Sequence, residues 1–212
     1  MKPIKNLFFA LLFLGLQSQL LFASDWELWT KYSFNFKLNK QIDFKVEPEL
    51  RYKHEFGHFY YEQVYVGPVF KLKKWLKIAT LYDYKTSEKN HTWKNEDLGV
   101  FDIELNSPFL VDSTFNYRLR NERNFTKKEW VQRNNFKISK EYKKIKGLSF
   151  FMGDETFYNF DSDRMDENRT TVGFSQKINN NLSCGLSYIL RYKKAVDWSS
   201  SNILQIDIGA KF

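Results

Sequence analysis

From Gln41 to Lys53 the chain alternates almost without a break. Ile42, Phe44, Val46, Leu50 and Tyr52 fall on one parity; Gln41, Asp43, Lys45, Glu47, Glu49, Arg51 and Lys53 fall on the other. A period of two is the signature of a strand rather than a helix. At about 3.3 Å per residue, a tilted strand of this length crosses an apolar band of roughly 25 Å. The apolar parity can then face lipid while the charged parity faces a wet interior.

The same alternation recurs along the chain. Trp26, Leu28, Tyr32, Phe34 and Phe36 oppose Glu27, Lys31, Ser33, Asn35 and Lys37; Val111, Phe115, Tyr117 and Leu119 oppose Asp112, Asn116, Arg118, Arg120 and Glu122. The segment 59–72 is the most blurred, because Tyr60, Tyr61 and Tyr65 blunt its alternation. Pro48 forfeits a ladder bond and requires an edge or a bulge. Connections near 39, 73, 107, 145 and 180 read as tight, whereas those near 56, 89, 126, 164 and 198 read as longer and more polar. Segregated turns and loops are the build of an outer-membrane barrel. The pattern predicts an all-β fold, an antiparallel transmembrane β-barrel of about 10–12 strands with short periplasmic turns and longer extracellular loops. Eleven segments are counted along the sequence, although an even number is expected for such barrels.

The ends agree with export. Lys2 and Lys5 precede the apolar run 7–16 and a small residue at Ala23, so residues 1–23 read as a cleaved secretory signal and 24–212 as the barrel. No cysteine stands at the cut, which argues against a lipid anchor. Losing Lys2 and Lys5 lowers the formal net charge of +8 to +6, a modest excess, and export makes nucleic acid a poor partner. Cys184, the single cysteine, can form no intramolecular disulfide; it shares the apolar parity of Leu182 and Leu186 and reads as a small lipid-facing residue. Aromatic residues make up 18% of the chain, a content suited to both strands and membrane interfaces.

The final residues alternate and close on Phe212, resembling the terminal signal by which outer-membrane barrels are recognised for assembly. The wider chain resembles a domain-of-unknown-function family of small bacterial outer-membrane barrels. The matching pieces are Trp26, Arg51, Arg118-x-Arg120-x-Glu122, Asp154-Glu155 followed by Phe157 and Asn159, and Asn168-Arg169 with Gly173. The resemblance implies location and fold, in the outer membrane of a Gram-negative cell, and carries no activity with it. The partners it implies are outer-membrane lipid and glycolipid, and the barrel-assembly machinery acting on the C-terminal strand; a monomer is expected.

Chemistry is sparse. His54, His58 and His91 all fall in expected loops, with Ser87 the one serine near a histidine, so no catalytic triad is read and no enzyme is expected. His54-x-x-x-His58 has metal-ligand spacing for a helix, not for a loop, so neither a metal nor a cofactor is expected. The distinctive feature is the arginine face. Arg51, Arg118, Arg120, Arg133, Arg169 and Arg191 point inward with Glu122 and Glu155, and with Glu47, Glu49, Asp102 and Glu104 as further carboxylates. Unpaired guanidiniums would favour anionic solutes; paired ones would fill the barrel. Eight strands leave an interior just filled and sixteen leave a channel, so a narrow channel or a filled, structural barrel is expected ahead of a wide porin-like pore. The alternatives are a barrel enzyme acting on lipid or glycolipid and a soluble periplasmic β-sandwich binding protein.

Overall fold

The computed structural model describes residues 26–54, 56–110, 113–194 and 197–212. The segment 1–23, expected as a cleaved signal, lies outside the described residues. The chain runs through β1 (Trp26–Lys37), β2 (Ile42–Lys53), β3 (His58–Lys73), β4 (Leu76–Lys89), β5 (Thr92–Leu110), β6 (Ser113–Asn124), β7 (Glu129–Glu141), β8 (Leu148–Asn159), β9 (Arg164–Lys177), β10 (Leu182–Lys194) and β11 (Trp198–Lys211). They close into one barrel in sequence order, with β11 beside β1.

Eleven strands correct the expectation of an even number, and the oddness has a geometric consequence. Each hairpin reverses the chain, so the eleventh strand points the same way as the first. The closing pair β1–β11 is parallel, while every other pair is antiparallel. The seam is fastened at its foot: the amide of Lys37 donates to the carbonyl of Phe212 (2.9 Å), the amide of Phe212 donates to the carbonyl of Asn35 (2.9 Å), and the Phe36 and Phe212 rings stack 5.1 Å apart. Full closure removes the unpaired edges that an open sheet would expose.

The loop lengths also depart from expectation. At the end of the barrel holding the connections after β2, β4, β6, β8 and β10 (the loop end), strands continue into the polar segments. β4 reaches Lys89 and β5 begins at Thr92, leaving Asn90 and His91 at φ 52° and 60°, as a two-residue type I′ turn requires. Residues 86–92 and 161–167 are therefore largely ladder. At the other end (the turn end), the β7–β8 connection is the longer one, spanning 142–147. Backbone pairing does not need apolar side chains, so polarity overstated the loops.

The side chains are distributed inside out. Glu47, Glu49, Arg51, Asp83, Asp102, Arg120, Glu122 and Glu155 are buried, whereas Phe44, Phe101, Phe136, Phe150, Met152, Phe174 and Ile206, on the opposite parity, are exposed. Exposed Trp26, Trp93, Trp130 and Trp198 gather toward the loop end, and Phe36, Trp75, Tyr142 and Phe212 toward the turn end. On β8 and β9 the apolar band is interrupted by Asp154, whose carboxylate accepts from Asn168 (2.9 Å) and Thr170 (3.0 Å). Apolar residues also enter the lumen, in two clusters: Tyr65, Ala79, Leu81, Leu98 and Val100 on β3–β5, and Trp29, Ile189 and Ile203 beside the closing seam.

Local irregularities explain the blurred strand. The register shifts between Arg51 and Tyr52 against β3, leaving Tyr60 without a partner of its own. Such a bulge lets both neighbouring tyrosines reach inward: Tyr60 donates to Glu27 and Tyr61 to Gln63. Pro48 pairs with Val64 on the β3 side, while on the β1 side the ladder passes from Lys31–Glu49 to Phe34–Val46. The interruption at Pro48 thus takes the place of the expected bulge.

Candidate functional site

Alternation delivers the arginines and carboxylates of eight strands, β1, β2 and β5 to β10, to one interior. Its centre is Glu155 of β8. Arg118 of β6 donates through Nη2 to Glu155 Oε1 (2.8 Å), Arg133 of β7 through Nη2 to both carboxylate oxygens (3.0 and 3.1 Å), and Arg169 of β9 brings Nη1 to within 3.6 Å of Oε2. Arg133 also donates through Nη1 to Glu122 (2.8 Å) and to the Tyr65 hydroxyl (3.3 Å). Arg120 grips Asp102 of β5 with two bonds of 2.7 Å, and its guanidinium lies 4.5 Å from the Tyr65 ring centre. Parallel N–H···O bonds of this kind are strong and orientationally fixed.

A second assembly closes the interior nearer the loop end. Its hub is Trp29, 1% exposed. The guanidiniums of Arg51, Arg169 and Arg191 lie 3.8, 4.8 and 5.6 Å from its ring. Each also has a carboxylate: Glu49 for Arg51 (2.6 Å), Glu167 for Arg169 (2.5 Å) and Glu27 for Arg191 (2.5 Å). The indole N–H donates to the same Glu27 (2.9 Å). Cations over a desolvated indole face gain on the order of 2 kcal/mol. Stack and ion pairs together lock β1, β2, β9 and β10 to one another across the interior.

All eight residues expected in the lumen are therefore brought together. Arg51, Arg118, Arg120, Arg133, Glu155 and Arg169 line a cavity of about 590 Å³, while Glu122 and Arg191 are joined to the same networks. The sequence reading missed Trp29, although Trp29 shares the parity of Glu27 and Lys31; that parity was its available signal. It also missed Glu167, which falls at the polar connection expected near 164 but is buried in β9.

The cavity lies on the turn-end side of these networks and continues into a second of about 560 Å³, the two sharing Ser33, Glu47 and Glu104. Small inward residues hollow its wall: Gly153, Ser175, Ser183, Gly185 and Gly209. Gly173, across from Phe151, has no room for a side chain; a Cβ there would come within 2.6 Å of the Leu186 carbonyl.

The histidines lie apart from this lumen site. His58 begins β3, correcting its expected place in a loop, and its ring bonds Glu88. His91 Nδ1 stands 3.7 Å from the other Glu88 oxygen. Ser87 is held in β4 opposite Tyr61 and Lys94. Cys184 is exposed.

Fold and site together define a closed all-β barrel with an apolar exterior and a charge-paired interior. No helix among the described residues is long and apolar enough to cross a membrane, and a barrel crosses with strands instead. The chain belongs to the family described as protein of unknown function (DUF2490), which matches residues 26–200, from the first residue of β1 into the start of β11. No curated protein matches the chain.

Proposed function

We propose that this protein is a monomeric barrel of the Gram-negative outer membrane, without catalytic activity, whose arginine-rich lumen is plugged by its own carboxylates. The exposed apolar band between two aromatic girdles supports insertion, since such girdles sit at membrane interfaces. The turn end, where β11 finishes at Phe212, is assigned to the periplasm, with the C-terminal strand offered to the assembly machinery and the exterior packed by lipid and glycolipid. The single observation that carries the plugged lumen is the convergence of Arg118, Arg133 and Arg169 on Glu155. Guanidiniums spent on buried carboxylates are not available to select anions along a pore. Eleven strands also fall in the range where side chains still span the interior.

The test is conductance. The purified barrel in a planar bilayer is expected to show no step currents, while remaining heat-modifiable in detergent gels. Regular single-channel steps would overturn the plug and restore the narrow-channel reading. Recovery of the mature protein as a detergent-free periplasmic species would overturn the membrane assignment.

A further inference from the structure

The plug leaves one half of the interior hollow, and the hollow half is not chemically neutral. Among the described residues, six of the seven cations lining the 590 Å³ cavity have a carboxylate within ion-pair distance; Lys137 does not. Its ammonium instead rests 3.8 Å from the Phe151 ring centre, which holds the charge in place without neutralising it. Lys137 faces Gly153 on the adjoining strand, so its direct ladder partner adds no side chain over it. Arg118 stands on the neighbouring strand, directly across from Asn135. Its Nη2 is used by Glu155, while its buried Nε has no partner among the described residues. Asn135 lies two residues before Lys137 on the same face, and its amide makes no side-chain hydrogen bond among the described residues.

We propose that this turn-end cavity is a binding site for a small oxyanion, a phosphate or a short multivalent carboxylate, held by Arg118, Asn135 and Lys137 on the β6–β7 wall. The inference rests on the plugged-barrel reading, in which the cavity is a blind vestibule open at the turn end. Three donors on adjacent strands suit an oxyanion: a guanidinium edge, a carboxamide and an ammonium, converging from one wall onto a bay hollowed by glycine and serine. An unpaired cation in a part-buried wall carries a desolvation cost that an anionic ligand would offset. The oxyanion group is the shared chemistry, and two probes separate its sources.

The experiment is calorimetric titration of the full mature barrel in neutral detergent with inorganic phosphate and, separately, with citrate. At least one probe is expected to bind saturably with one site per barrel, and the probe that binds identifies the source. Lys137→Gln is expected to weaken that binding tenfold or more, Lys137→Arg to retain it, and Lys146→Gln, the same charge change on an exposed turn, to leave it unaltered. If Lys137→Gln fails to give heat-modifiable barrel, Asn135→Ala replaces it with the same expectation. Saturable binding by neither probe, or equal binding by wild type and the site variant, overturns the proposal. Conductance separates this from the reading beneath it: step currents would refute the plug whatever the titration shows, whereas a silent barrel that binds neither probe would refute only the site.

Discussion

Arg118, Arg120 and Glu122 show how much one strand face can do. They are spaced two apart and point the same way, yet they reach three different strands: Glu155 on β8, Asp102 on β5 and Arg133 on β7. Burying such groups contributes little net stability when each is paired, because desolvation offsets the attraction, but removing one partner is costly. Arg120→Gln would leave Asp102 buried against a neutral amide, and a loss of about 3–5 kcal/mol is expected, read as a lower urea midpoint for the barrel in detergent. An unchanged midpoint would show that the lumen is wetter than its burial indicates. The outward parity gives a complementary test. Leu186→Arg should cost about 2–4 kcal/mol if it faces the bilayer midplane, whereas Asn116→Arg, which opens into the cavity, should be mild; equal penalties would refute the inside–outside assignment. The neighbouring inward residue Ser187 would not serve as such a control, because it is only 3% exposed and stands directly across from Gly173 of β9.

Among the elements, β3 departs furthest from a plain strand. Gly67 has φ +153°, and a Cβ there would sit 2.3 Å from the Thr80 carbonyl. The β3–β4 ladder steps over it, from Val66–Tyr82 to Val69–Ala79. Gly67→Ala should therefore cost about 1–3 kcal/mol through strain, visible as a lower temperature of conversion to the unfolded band on heating in detergent. A wild-type transition would mean that the close approach relaxes freely. β2 and β6 were legible in the sequence because the extra residue at each of their register shifts sits on the partner strand, β3 or β5, so side-chain period and backbone period coincide along them. Residues 59–61 were not, since the bulge opposite Arg51 and Tyr52 inserts a tyrosine without changing composition. Residues 86–89 and 164–167 were misleading for a different reason. Their side chains are polar, yet they stay in the ladder, where the hairpins extend on backbone hydrogen bonds and on side-chain pairs such as Glu88 with His58 and Glu167 with Arg169.

At the scale of the whole molecule, alternation revealed which residues point inward but not which of them meet. Arg118 finds its carboxylate on β8 rather than on its direct neighbour β7, because stagger and curvature decide contacts across a lumen and neither is written in a single strand. Trp29 gathers Arg191 from β10 for the same reason, whereas Arg51 is its direct ladder partner on β2. The parallel seam is likewise a property of closure. It follows from the strand count, and it places the start of β1 at the loop end and the finish of β11 at the turn end. An even-stranded barrel would put both on one side. In intact cells, an epitope inserted between Asp25 and Trp26 is therefore expected to bind antibody from outside. One inserted in the β1–β2 turn at Asn39 and Lys40 should be reached only after the outer membrane is permeabilised. If both epitopes respond alike, then β1 does not close the barrel beside β11 in the direction described, and the eleven-stranded topology is wrong.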